Sequence, residues 1–195
     1  MAHPSYATLS ATDLVEEFSA MARDTEMVFG RYDATQLNWQ PQAGRWSVAQ
    51  CFDHLLKTAD GMFLTFDRAL DPNVAPTVWQ RLPMWPRMLG RALITSQAPG
   101  GKRKYRAPAT AQPAGSSLDP LTVERFIACQ HLGIARLRAL GAEDARRIAV
   151  SPFVAQITYS VLDGYRLIAA HQRRHFDQAR RVIEHPAFPS TWPAP

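Results

Sequence analysis

The sequence predicts an all-α protein, a four-helix bundle with a long, proline- and arginine-rich connection between its second and third helices. Three observations predict it. Four segments repeat apolar side chains at helical spacing, no segment alternates with period two for long enough to support a sheet, and the connections between the four are very unequal. At 195 residues and 46% hydrophobic, the chain can bury one sizeable core, so a single domain over residues 1–195 is expected.

The first helix is expected over residues 11–32, where Leu14, Phe18, Met21 and Val28 form a stripe widened by Val15, Ala22 and Phe29. The second opens at Ser47, which can cap while Gln50 reaches back as a capping box, and runs through Val48, Phe52, Leu55, Ala59, Met62 and Phe66. Asp71-Pro72 should stop it, because a proline disfavours helix in the residue before it. The third begins at Asp119-Pro120, with a seam of Phe126, Gln130, Gly133, Leu137 and Leu140, and stops at Gly141. The fourth runs from Ser160 to about Glu184, before His185-Pro186, with Val161, Tyr165, Ile168, Phe176, Ala179 and Ile183 as its apolar positions. Four such helices argue for an antiparallel bundle.

Residues 71–117 are far longer than an ordinary bundle loop, and connections of that length carry function or short structure of their own. Pro86 to Thr95 can form a short helix, whereas residues 98–117, rich in Gly, Pro and Ser, read as mobile. The net charge of +5 is concentrated here: the connection holds seven Lys or Arg against one acid, leaving the rest near neutral. Trp79, Trp85 and Tyr105 among those basic residues would suit stacking on bases, but a charged, proline-rich connector is the composition of a solvated loop, so nucleic-acid binding is not expected. Residues 186–195 are expected to form a C-terminal tail. No membrane span or secretory leader is apparent. Cys51 and Cys129 both lie in apolar periodic segments, which fits a cytoplasmic location better than a disulfide framework.

The candidate chemistry lies in histidines. His171 and His175 are four apart, one above the other on a helix face, on a stripe with Gly164, Ile168 and Val182 that overlaps the apolar seam. His54 flanks the apolar face of the second helix beside Cys51 and Leu55. Spacing alone permits a metal site without specifying one, since exposed and capped histidines are common. Three neutral imidazoles hold a divalent ion and leave a coordination position open. Gln172 follows His171 where a zincin helix has its glutamate, which disfavours metalloprotease chemistry. His3, His131 and His185 are expected on the surface, and Cys51 is more often a small hydrophobe than a ligand.

Residues 37–55, LNWQPQAGRWSVAQCFDHL, resemble the start of the second helix in the DinB/YfiT-like superfamily, where a Trp-Ser cap precedes a histidine-leucine pair. Residues 151–182, with the H-x-x-x-H pair, are similar to its final helix, and the N-terminal helix fits as well. The resemblance implies a four-helix bundle, often dimeric, holding a divalent metal by His54, His171 and His175. Zinc or nickel comes first among the metals, with iron and copper also suited to imidazole. Members of that superfamily include thiol-dependent enzymes, and the resemblance does not select among activities; the leading expectation is a metal-dependent enzyme, a thiol-dependent transferase acting on a small electrophilic molecule with a low-molecular-weight thiol as partner, or a related hydrolase. The alternative is a non-catalytic metal- or ligand-binding stress-response protein. Trp46 and Ser47 read as structural, packing and capping the start of the second helix so as to hold His54 in place; Arg174 and Gln178 fit either contacts behind the ligands or a solvated face.

Overall fold

The computed structural model describes residues 5–81, 85–99 and 107–189. Its four long helices are α1 (Ala11–Phe29), α3 (Val48–Leu70), α5 (Thr122–Ala139) and α6 (Val161–Ile183). Two shorter ones, α2 (Ala34–Asn38) and α4 (Trp85–Gln97), lie in the connections before α3 and before α5. Capping fixes the starts. Ser10 and Asp13 form a reciprocal capping box on α1, as do Ser47 and Gln50 on α3 and Asp33 and Gln36 on α2. Ser160 accepts from the Asp163 amide at the start of α6. Helix α5 starts later than expected, at Thr122, because Asp119 spends its carboxylate on the Leu121 amide and on Arg125.

Residues shared between helices reveal how the bundle is threaded. One apolar cluster joins Phe29 at the end of α1, Phe52 near the start of α3, Phe126 near the start of α5 and Phe176 late in α6. The other joins Leu14 and Phe18, Met62 and Phe66, Ile134 and Leu137, and Tyr165 and Ile168. Helices α1 and α6 therefore run one way, and α3 and α5 the other. The main packings are α1 on α5 and α3 on α6, both antiparallel, completed by α3 on α5 and α1 on α6, which are parallel. The expected antiparallel bundle thus holds for two of its four seams. The corrected topology also accounts for the long connection: for α3 and α5 to run in parallel, the chain must return the full length of the bundle, roughly 35 Å for a helix of 23 residues.

Aligned dipoles of parallel neighbours repel, and ion pairs cross both parallel seams. Arg173 of α6 binds Glu17 and Asp24 of α1, and Arg136 of α5 binds Asp67 of α3. Helix α4, which covers the stretch where a short helix is expected and exceeds it by one and two residues, packs on α6 and on a hairpin of β1 (Ile148–Val150) and β2 (Thr158–Ser160), paired antiparallel with Ala149 opposite Tyr159. The hairpin corrects the expectation of no sheet; its strands, three residues each, are too short to show a period of two.

Two glycines permit the closest helix approaches. A methyl at Gly133 would come within 2.5 Å of the Phe18 ring, and one at Gly164 would meet the rings of Phe66 and Tyr159. Both rings of the first contact in each case are buried at 1% exposure, with no room to turn aside. Gly164→Ala should therefore lower stability by about 1–2 kcal/mol, despite the better helix propensity of alanine. The urea midpoint measures this, and a midpoint equal to or above wild type would show that the ring can yield.

Candidate metal centre

Helices α3 and α6 form an antiparallel seam, and the three histidines meet on it. His54 is buried, while His171 and His175 line a cleft between α6, the turn before α3, α4 and the hairpin. The ring centroids lie 5.0 Å apart for His54 and His171, 4.7 Å for His54 and His175, and 4.6 Å for His171 and His175. Each ring offers one nitrogen, and these nitrogens fall within 4.8 Å of one another.

The connection between α3 and α5 supplies an orienting group that side-chain patterns cannot show. His54 Nδ1 lies 2.6 Å from the carbonyl of Ala111. A carbonyl can only accept, so Nδ1 carries the proton and Nε2 presents its lone pair. That lone pair faces His171 Nε2 at 3.2 Å. Two nitrogens ligating a tetrahedral ion at about 2.0–2.1 Å lie about 3.3 Å apart, so the spacing suits a shared cation. His175 Nδ1 is buried with no hydrogen-bond partner among the described residues, an unmet polar atom of the kind a ligand or cation would satisfy. The donor set fits a divalent ion.

The Ala111 carbonyl is held by more than His54. Lys57 donates to the Gln112 carbonyl, the Ala114 amide donates to Asp53, and Gln50 donates to the Gly115 carbonyl. Residues 111–115 are thus fastened along one face of α3 by Gln50, Asp53, His54 and Lys57. Within the stretch expected to be mobile, residues 111–115 carry these bonds to α3, while residues 100–106, with Lys102, Arg103, Lys104, Tyr105 and Arg106, lie outside the described residues, as do His3 and residues 190–195.

Trp46 does more than pack at the start of α3. Its indole stacks on His175 at 5.7 Å between centroids and abuts His54 at 4.9 Å, fixing two rings at once. Arg174 reaches the Ser96 carbonyl at the end of α4 and lines the cleft with Gln178. Cys51 is fully buried outside the histidine cluster, and burial pushes its thiol up to about 12, so it is a neutral hydrophobe and not a ligand. His131 is exposed, and His185 is exposed at the rim of the cleft. Arg45 and Arg181 also line the cleft; nothing in their sequence spacing marks them.

The imidazoles are held neutral. Burial, aided by the neighbouring imidazoles and Arg174, drives His171 well below its ordinary value and His175 to about 3. At His54, burial outweighs the Ala111 bond and lowers the ring as well. These folded-state values lie below the ordinary 6.5 that the unfolded chain retains, so the unfolded chain takes up protons first as pH falls. The metal-free protein should lose stability as pH drops from 6.5 toward 3, and His171→Asn with His175→Asn should flatten that slope. Urea midpoints between pH 7 and 4 measure it; equal slopes would sink the assignment.

Comparison with known proteins agrees with the fold. No curated protein matches the chain. Among solved structures, it is similar to YfiT from Bacillus subtilis, described as a probable metal-dependent hydrolase with an unusual four-helix bundle topology, at 16% identity and a TM-score of 0.56, over 91% of this chain and 89% of that one. A family model of the DinB superfamily matches residues 17–179. The family match covers most of the chain's length and the bundle fold agrees with it: the chain belongs to the DinB superfamily.

Proposed function

We propose that the protein is a metal-dependent enzyme that transfers a low-molecular-weight thiol to a small electrophilic molecule, with His54, His171 and His175 as the ligands of a divalent ion, zinc or nickel before iron or copper. The observation that carries the reading is the convergence of the three neutral imidazoles at the floor of the cleft, with His54 oriented by the Ala111 carbonyl. A divalent ion bound there supplies Lewis acidity, which favours loss of a proton from a thiol or water near pH 7.

Two features support thiol transfer over hydrolysis. The cleft has a volume of about 1420 Å³, above the ~300–1,000 Å³ of an ordinary ligand pocket, so two reactants can enter together. Among the described residues lining it, Asp177 is the one acid, so general-base help is scarce, which weighs more against water than against a thiol, whose proton is far more acidic at the outset. The chain's own residues position the reaction. Trp46 holds the His54 and His175 rings, Met62, Leu93 and Ile168 give the cleft an apolar wall, and the fastened stretch 111–115 closes off the Nδ1 side of His54 from solvent.

The reading extends to a cytoplasmic homodimer. Both cysteines are free and buried, which suits a reducing compartment, and the dimer follows the resemblance. No described helix is long and apolar enough to cross a membrane.

Elemental analysis of the purified protein should find about one divalent ion per chain, and His171→Ala should lose most of it. The metal-loaded protein should turn over when offered thiols with electrophilic acceptors, and His171→Ala should not; activity that survives ligand loss refutes the mechanism. Asp53→Ala with Lys57→Ala, which unfastens residues 112–114, should weaken metal binding by about 10- to 100-fold without removing a ligand. Chelator competition reads this, and unchanged affinity would mean that the stretch does not orient His54.

A further inference from the structure

We infer that the cleft takes an anionic small molecule, its carboxylate or phosphate group held by Arg45, Arg174 and Arg181. The inference deepens the metal-dependent reading and rests on it for the location of the reacting end; the anion-holding residues are separate from the three histidines.

The three arginines come from two walls of one cleft. Arg45 stands in the turn before α3, where Gly44 adopts φ +76°, a left-handed conformation that glycine accepts without strain and that brings the chain to the rim beside Trp46. Arg174 and Arg181 are seven residues apart on α6, two turns along the same face, so their Cα atoms are spaced about 10 Å along the axis. Arg174 donates to the Ser96 carbonyl, which anchors its guanidinium at the cleft wall. Arg181 and Arg45 are exposed at its mouth.

Charge balance is the argument. Neutral imidazoles contribute nothing against a divalent ion, three guanidiniums add to it, and Asp177 alone among the described lining residues opposes them. The loaded cleft then carries an excess of about four positive charges, in a space where apolar walls strengthen the field. A neutral substrate would leave that excess unanswered, whereas a carboxylate or phosphate answers it and matches the guanidinium fork in shape. From His175 to Arg181 is about 9 Å along the helix, so one molecule of up to roughly di- to tripeptide length can span from the histidines to the mouth of the cleft.

The test is calorimetric titration of the full chain, metal-free and zinc-loaded, with glutarate, methyl phosphate and uncharged glutaramide. At least one anion should bind about 10-fold or more tightly than glutaramide, in both metal states, and should weaken as salt is raised. The stronger of the two anions identifies the oxyanion. Arg45→Gln with Arg181→Gln, checked for folding by circular dichroism, should lose about 10-fold in anion affinity while zinc stoichiometry stays unchanged. Equal binding of all three probes, or an unaltered affinity in the folded double variant, would overturn the inference; the probe and salt comparisons on the wild-type chain decide it even should the variant fail to fold. Anion binding without zinc uptake would refute the metal reading and leave the anion site standing.

Discussion

The hydrogen bond from His54 Nδ1 to the Ala111 carbonyl is the interaction on which the site depends. It settles which nitrogen of His54 carries the proton, and so directs the lone pair of the other toward His171. Without it either tautomer would serve, and half of them would present an N–H to the place where a cation would sit. The bond also lies between a helix and a connection, so it forms only when the connection crosses α3 at the right level. Gln50, Asp53 and Lys57 secure that crossing from the same helix face.

The crossing is a consequence of threading. Parallel α3 and α5 oblige the chain to return along the bundle between Leu70 and Thr122, and a segment that long cannot be a simple loop without a large entropic cost. It is offset by structure of its own: α4 lies against α6 and β2, and residues 109–111 form a turn under His54. The same threading creates two parallel seams, where Arg173 and Arg136 make their ion pairs across helices. Arg173 and Glu17 are largely shielded from solvent, so removing one partner would strand the other's charge, which costs more than the pair itself contributes. The topology that moves the connection over the site is thus the one that requires ionic stitching elsewhere.

The four long helices were legible in the sequence because amphipathic stripes and caps are local signals. Ser47 with Gln50 and Ser160 stand where expected, and the stops at Asp71 and before His185 fall within a residue or two. The direction of α5 was not legible, since an apolar stripe records which face is buried and not which neighbour buries it. The hairpin escaped because three residues give no period, and α2 because five residues give barely more than one turn. For the site, His54, His171 and His175 were named by spacing and by family resemblance, and they converge. Ala111 left no trace, because its contribution is a backbone carbonyl that any residue would carry. Arg45 and Arg181 were hidden among other exposed arginines, and only the fold distinguishes the ones that line the cleft from Arg180, which pairs with Glu184.

Trp46 and Ser47 show how one dipeptide can serve two levels of structure. Ser47 caps α3, which sets the rotation of the helix and hence where His54 emerges about two turns later. Trp46, one residue outside the cap, is then placed to cover His54 and stack on His175 of the other helix. Shifting the cap by a single residue would turn His54 by about 100° around the axis, away from both the Ala111 carbonyl and α6. The local signal that starts the helix and the geometry that assembles the three histidines are therefore one constraint, which explains why a site drawn from helices far apart in sequence can rest on so short a stretch.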